Sequence, residues 1–260
     1  MKVLELNKNQ QEAVNHINGP MLVLAGAGSG KTSVLTKRVA YLIKERNISP
    51  KNIVAITFTN KAAKEMKERI IKEVGKEGYD IQISTFHSFG LRIIKENYEK
   101  LGYEKNFTII DSDDSLTVVK KILKEMGIDT TRFNPKFIKN QISSCKNEMV
   151  TPEKYKNLVN DELSDITYKV YKKYQDTLLR NNSLDFDDLL IKPIELFNKY
   201  KEVLENYQEL FKYVFIDEYQ DTNEAQYILS KMISDKYKNI CVVGDDAQSI
   251  YSWRGANFKN

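Results

Sequence analysis

This sequence predicts an α/β fold, a mainly parallel sheet flanked by helices and interrupted by a mostly helical insertion. Three observations carry that expectation. Short β-rich apolar runs recur at 21–24, 53–58, 81–86, 213–217 and 240–244, and four of them end directly in polar residues able to do chemistry. Helical patterns at 34–44 and 62–74 separate the early runs, the alternation expected of βαβ crossovers. Residues from about 91 to 190 read instead as Lys/Glu-rich amphipathic helix, with only 107–110 as a plausible strand. The expected organisation is a discontinuous α/β domain, 1–90 and 191–260, holding a helical insertion at 91–190. Pro135, Pro152 and Pro193 fall where helices begin or turn.

Composition narrows the functional classes. The 40 Lys+Arg and 36 Asp+Glu leave a net charge of only +4, so any surface that meets a polyanion must be local. Cys145 and Cys241 lie far apart without CxxC spacing, and Met1–Glu5 lacks a long apolar signal core. A reduced, soluble, cytoplasmic protein without structural disulfides or a zinc site is expected. No apolar stretch approaches membrane-spanning length, so no membrane partner is expected.

The first run, Met21–Leu24, delivers Ala25-Gly26-Ala27-Gly28-Ser29-Gly30-Lys31-Thr32 and then a helical stretch. Strand, glycine-rich loop and helix in that order are what a nucleoside triphosphate site needs. Backbone N–H groups of Ala27, Gly28, Ser29, Gly30 and the following turn can approach phosphate oxygens, and the helix aims its positive end at them. Lys31 adds a point charge near the β/γ-phosphates, Thr32 supplies a hydroxyl for Mg²⁺, and Ser33 continues the cradle. The strict pattern begins with glycine where this chain has Ala25, a small residue that the later glycines make tolerable.

The second run ends in Thr57-Phe58-Thr59-Asn60, where Asn60 suits the cap of a helix beginning at Lys61. The third ends at Thr85-Phe86-His87; a histidine at a strand-to-helix junction suits a cap or a core hydrogen bond better than catalysis or a metal. Asp185, Asp187 and Asp188 open a helix, and their spacing suits capping and hydrogen bonds between domains rather than a metal cluster. The fourth run, Tyr213–Ile216, carries Asp217 and Glu218 at its tip. Asp217 is placed to hold Mg²⁺, and Glu218 to polarise the water that attacks a γ-phosphate. The fifth leads into Gly244-Asp245-Asp246-Ala247-Gln248-Ser249-Ile250-Tyr251-Ser252-Trp253-Arg254. There Gln248 could sense the γ-phosphate, while Tyr251 and Trp253 could stack on unpaired bases. A lone tryptophan is also a common core residue.

This ordered set resembles the amino-terminal half of superfamily 1A DNA helicases of the UvrD/PcrA/Rep type. Leu6–Val14 is similar to their Q motif, which implies that Gln10 reads the adenine edge. Ile56–Ala63 is similar to motif Ia, which implies that Phe58 stacks on single-stranded DNA. Tyr251, Trp253 and Arg254 are expected to line the same track, with Asn60 a DNA contact compatible with its role as a cap. Thr85–Gly90 and Leu184–Leu190 match further signatures near the borders of the family's inserted subdomain. The resemblance implies a RecA-like P-loop NTPase sheet (domain 1A) with an inserted helical domain 1B. It also implies ATP with Mg²⁺ as cofactors, single-stranded DNA and single/double-strand junctions as partners, and 3′–5′ unwinding.

Two departures qualify it. Relatives often carry an arginine after Gly-Lys-Thr that packs on adenine, and here Ser33 stands there. The sequence also stops at Asn260, before the family's second RecA-like domain with its γ-phosphate-binding arginines, so it is expected to be a monomeric fragment with little turnover, completed by the missing C-terminal domains. Two other readings stay open: a nucleotide and single-strand binding module, and a phosphate-loop ATPase that acts on no nucleic acid. Aromatic residues beside the phosphate motifs speak against the latter.

Overall fold

The computed structural model describes residues 6–26, 28 and 30–245 of the chain. They form two compact units, one drawn from 6–89, 197–222 and 226–245, the other from 90–196 and 223–225.

The first unit is built on five parallel strands, β1 (Met21–Leu24), β2 (Ile53–Thr57), β3 (Gln82–Thr85), β6 (Tyr213–Ile216) and β7 (Ile240–Gly244), in the order β1-β7-β6-β2-β3. All five of the expected runs are strands. Every residue of β2 and β6 is buried, as befits inner strands covered on both faces, whereas β1 and β3 lie at the edges. Helices α2 (Lys31–Arg46) and α3 (Asn60–Val74) pack Leu35, Val39, Met66 and Ile70 against Ala55, Phe215 and Val243. Because all strands run parallel, their carboxyl ends lie along one edge, the edge at which open α/β sheets gather ligands.

The short helix α1 (Lys8–Asn15) buries only Val14, so its order comes from elsewhere. Arg38 of α2, itself buried, donates through Nη1 to the carbonyls of Ala13 (2.9 Å) and His16, and through Nη2 to that of Ile17 (3.4 Å). It ties the carboxyl end of α1 to the helix that follows the glycine-rich loop. Burial lowers the Arg38 pKa below its ordinary value, against the raising effects of Cys241 and Tyr213.

Two of the expected caps are displaced. Helix α3 begins at Asn60 itself, and its cap is Thr59, whose hydroxyl accepts from the Ala62 N–H at 3.1 Å. At the start of α4 (Phe86–Asn97) the Thr85 hydroxyl, not His87, accepts the capping bond, from the Ser88 N–H at 3.2 Å. In both places a threonine just before the helix turns its hydroxyl onto the first free N–H groups.

The second unit holds β4 (Thr108–Ile109), α5 (Ser112–Glu125), α6 (Pro135–Asn147), α7 (Pro152–Lys156), α8 (Glu162–Arg180), β5 (Ser183–Leu184) and the start of α9 (Asp188–Lys199). Its core is Val119, Leu123, Ile138, Ile142, Val170 and Leu178 from α5, α6 and α8. Pro135 and Pro152 occupy first helical turns, while Pro193 lies inside α9. The expected strand at 107–110 contracts to β4, which pairs in parallel with β5, a strand too short to give a periodic signal. In α10 (Lys201–Leu210), back in the first unit, Tyr207 packs on Phe197 and Phe211; α11 (Glu224–Ser234) follows β6.

The three aspartates near β5 are taken up by protein partners, and among the described residues no group of three or more His, Cys, Asp or Glu is gathered as a metal site would require. Asp185 Oδ1 accepts from the Asp188 N–H (2.9 Å) and Asp188 Oδ2 from the Asp185 N–H (3.1 Å), a reciprocal cap. Their other oxygens hold a lysine buried in the same unit, Lys146, whose Nζ lies 2.6 Å from Asp185 Oδ2 and 2.9 Å from Asp188 Oδ1. Asp187 accepts from Ser143 Oγ (2.6 Å) and Asn147 Nδ2 (3.1 Å). Cys145 and Cys241 are free and buried. No helix among the described residues is long and apolar enough to cross a membrane.

Candidate functional site

Three strand ends of the first unit carry the candidate residues to one edge of the sheet. After β1 the chain turns with Gly28 and Gly30 at φ of +72° and +86°, values that side chains rarely adopt, and Gly30 is the N-cap of α2. The turn therefore ends with the helix N-terminus open and its first N–H groups unpaired within the helix. Lys31 opens the helix and is buried; its Nζ lies 3.3 Å from Oδ2 of Asp245, at the end of β7. Thr32, one residue on, places Oγ1 3.3 Å from Oδ2 of Asp217, at the end of β6. Ser33 lies against Gly30: a Cβ added there would meet Ser33 Cβ at 3.9 Å and Gln10 Nε2 at 3.5 Å. The α1 residue Gln10 thus stands beside the loop, although its Oε1 also accepts from the Asn7 N–H (2.9 Å) in a capping box.

Burial, and then the neighbouring Glu218 carboxylate, push the Asp217 pKa above the usual carboxylate range, while the Thr32 hydroxyl and Lys31 pull it down. The Asp217 N–H donates to the Ile56 carbonyl at 3.0 Å, which extends the β2–β6 ladder by one residue and fixes where the carboxylate emerges. Glu218 then turns the chain sharply, with φ of +53° and ψ of +45°, and its N–H returns to Asp217 Oδ1 at 3.1 Å. Such a conformation costs a non-glycine residue about 1–3 kcal/mol and is found where geometry has a use.

A cleft of about 350 Å³ is lined by Thr32, Asp217, Glu218, Gln220 and Asp221 together with Thr57, Phe58, Thr59, Ala62, Glu65 and Arg69. Phe58 is half-buried, its ring standing edge-on to the buried Phe86 with centroids 5.9 Å apart. Asn60 is exposed at the start of α3. The structure thus brings Lys31, Thr32, Asp217, Glu218 and Phe58 to one strand edge, with Gln10 beside the glycine loop. Ala27, Ser29, Gln248, Tyr251, Trp253 and Arg254 lie outside the described residues.

Three residues of this region escaped the reading of the sequence. Asp245, the partner of Lys31, was visible only as one of two acids after a strand. Gln220 donates from Nε2 to Glu218 Oε2 (2.8 Å) and accepts at Oε1 from the Asp245 N–H (3.0 Å). Arg38 looked like one basic residue among many in a helix; its helical spacing from Val34, Leu35 and Leu42, on their apolar face, was the available signal.

Comparison with known proteins places the chain in a family. The model of the UvrD/REP helicase N-terminal domain matches residues 6–260. The chain is 53% identical over 258 residues to the ATP-dependent DNA helicase PcrA of Staphylococcus epidermidis, covering 99% of this chain and 35% of that protein. The PcrA helicases of Bacillus subtilis and Staphylococcus aureus are each 51% identical over 255 residues, 98% of this chain and 34% and 35% of those proteins. The chain thus spans about a third of the length of the curated relatives it matches. With a parallel five-stranded sheet, helices on its face and a match along nearly its whole length, this chain belongs to the UvrD/REP helicase N-terminal domain family.

Proposed function

We propose that this chain is the ATP- and single-stranded-DNA-binding part of an ATP-dependent 3′–5′ DNA helicase, with the α/β unit as domain 1A and the helical unit as domain 1B. The observation that carries the reading is the meeting of Thr32 Oγ1 and Asp217 Oδ2, from residues far apart in sequence, in a cleft that continues to Phe58. A hydroxyl and a carboxylate are the hard oxygen donors that Mg²⁺ takes, and a carboxylate desolvated above its usual range is one that a cation would favour. These donors fit the ion; Thr32 and Asp217 would hold it, and bound there it would neutralise phosphate charge. Gly28, Gly30 and the α2 N-terminus, with Ala27, Ser29 and Ser33, would receive the phosphates. Lys31 would exchange Asp245 for a β/γ-phosphate, and Gln10 would read the adenine edge. Glu218 would orient and deprotonate the attacking water, and Gln248 would sense the γ-phosphate. Phe58, Asn60, Tyr251, Trp253 and Arg254 would form the DNA track, and the remaining domains of the full-length protein would complete the motor.

Calorimetric titration with Mg·ATP tests the nucleotide half: the wild-type chain binds, and Lys31→Ala, which removes the charge beside the phosphates, does not. Equal affinities would overturn the assignment. For the DNA half, Phe58→Ala is expected to weaken binding of a labelled oligonucleotide by about 1–3 kcal/mol whatever its sequence. The dependence on salt, which counts displaced phosphate counterions, should hardly change. Fluorescence anisotropy over a salt series reads both, with circular dichroism to show that the variant stays folded; wild-type affinity would remove Phe58 from the track.

A further inference from the structure

We infer that Gln220 is a positioning residue that clamps the Glu218 carboxylate to the end of β7, an inference that rests on the role proposed for Glu218. One amide does two opposite things. Its Nε2 donates to Glu218 Oε2 at 2.8 Å, and more distantly to Asp221 Oδ2 at 3.4 Å, while its Oε1 accepts from the Asp245 N–H at 3.0 Å. A carboxamide offers a donor and an acceptor from the same planar group. The space for it is reserved on the neighbouring strand: a Cβ at Gly244 would stand 2.9 Å from Gln220 Oε1 and 3.4 Å from its backbone N. Gly244 has β-strand geometry and no positive φ, so the close approach of the amide, rather than backbone freedom, is what asks for glycine there.

The clamp answers a mechanical problem. Glu218 sits on a left-handed turn at the tip of β6, where its side chain would otherwise sample several rotamers, and a base must hold its oxygen within hydrogen-bond reach of the water it activates. Tied to Gln220, one Glu218 oxygen is fixed by a donor and the other is left for chemistry. The same amide joins Glu218 to the residue whose carboxylate holds Lys31, so the attacking-water side and the phosphate side of the site share one hydrogen-bonded bridge. Movement of the β7 end is thereby passed to the base.

Two substitutions separate the halves of the clamp. Gln220→Leu loses both hydrogen bonds; Gln220→Glu keeps an acceptor for Asp245 and replaces the donor by a like charge facing Glu218. With the full-length protein in excess over Mg·ATP, single-turnover hydrolysis should fall about tenfold or more in both variants, while the Kd for Mg·ATP stays within about twofold of wild type. Hydrogen exchange at the Asp245 amide should quicken about tenfold in Gln220→Leu and stay protected in Gln220→Glu. A merely structural role for Gln220 would leave hydrolysis intact in the Glu variant, whose bond to β7 survives, and that result would overturn the inference. Glu218→Gln distinguishes the two failures. If it hydrolyses like wild type, the role proposed for Glu218 fails and the clamp with it; if it is inactive while both Gln220 variants hydrolyse like wild type, the clamp alone is wrong.

Discussion

Lys146→Met is expected to destabilise the helical unit by about 3–5 kcal/mol, the range for breaking a buried ion pair by removing one partner. Lys146 is 1% exposed and its ammonium meets two carboxylates, Asp185 at 2.6 Å and Asp188 at 2.9 Å, with the Tyr174 hydroxyl also donating to Asp185 at 2.9 Å. Burial alone would push lysine towards neutrality, but Asp185 and Asp188 outweigh it and hold the Lys146 pKa well above its ordinary value. Methionine keeps the length and apolar stem of the side chain, so the loss isolates the charge. What remains is a pair of buried carboxylates with no cation between them.

That remainder gives the prediction a sign in pH. Burial, and then the charge of Asp188, already push Asp185 up to about 6. Without Lys146 the folded carboxylates would hold protons to still higher pH, so the folded state binds more protons than the unfolded one and stability rises as pH falls through that range. Urea unfolding at pH 7 and pH 5 should show the variant recovering part of its loss on acidification. A wild-type midpoint at pH 7 would show that the ion cluster contributes nothing.

Gly90→Ala is expected to destabilise by about 3 kcal/mol, at the upper end of the overpacking range. Gly90 is buried in α4, and a Cβ there would stand 1.8 Å from the Leu189 carbonyl oxygen and 3.0 Å from its carbon, both backbone atoms of the first turn of α9. Alanine favours a helix over glycine by about 1 kcal/mol, so propensity alone predicts a gain. The clash should win, because backbone cannot step aside as a flexible side chain can. Thermal unfolding followed by circular dichroism checks it, and a rise in Tm would mean that the two segments can separate without loss.

Much of the fold was legible because its signals are local. Apolar runs that stop at Gly26, Asp217 or Gly244 mark strands with tips, and glycines followed by Lys31-Thr32 mark a loop before a helix. The same locality explains the misses. Asn60 and Thr59 are both good caps one residue apart, and only the backbone decides which stands outside the helix. Lys146 is one lysine in a Lys-rich insertion, and nothing adjacent to it reveals two aspartates some forty residues away that enclose it. Gln220 reads as a polar residue after an acidic pair; its function as a bridge depends on β6 and β7 lying side by side, a pairing that no local pattern encodes.

Arg38 gives the site a ruler. Lys31 opens α2 and Arg38 lies two turns further along it, roughly 10 Å at the rise of an α-helix. One end of that rod meets the loop proposed for phosphates, and the other holds α1, which carries Gln10, by its carbonyl oxygens. Gln10 is thereby held beside Gly30, and the placement of the proposed base reader against the proposed phosphate grip rests on the tie between α1 and α2 rather than on loop conformation alone.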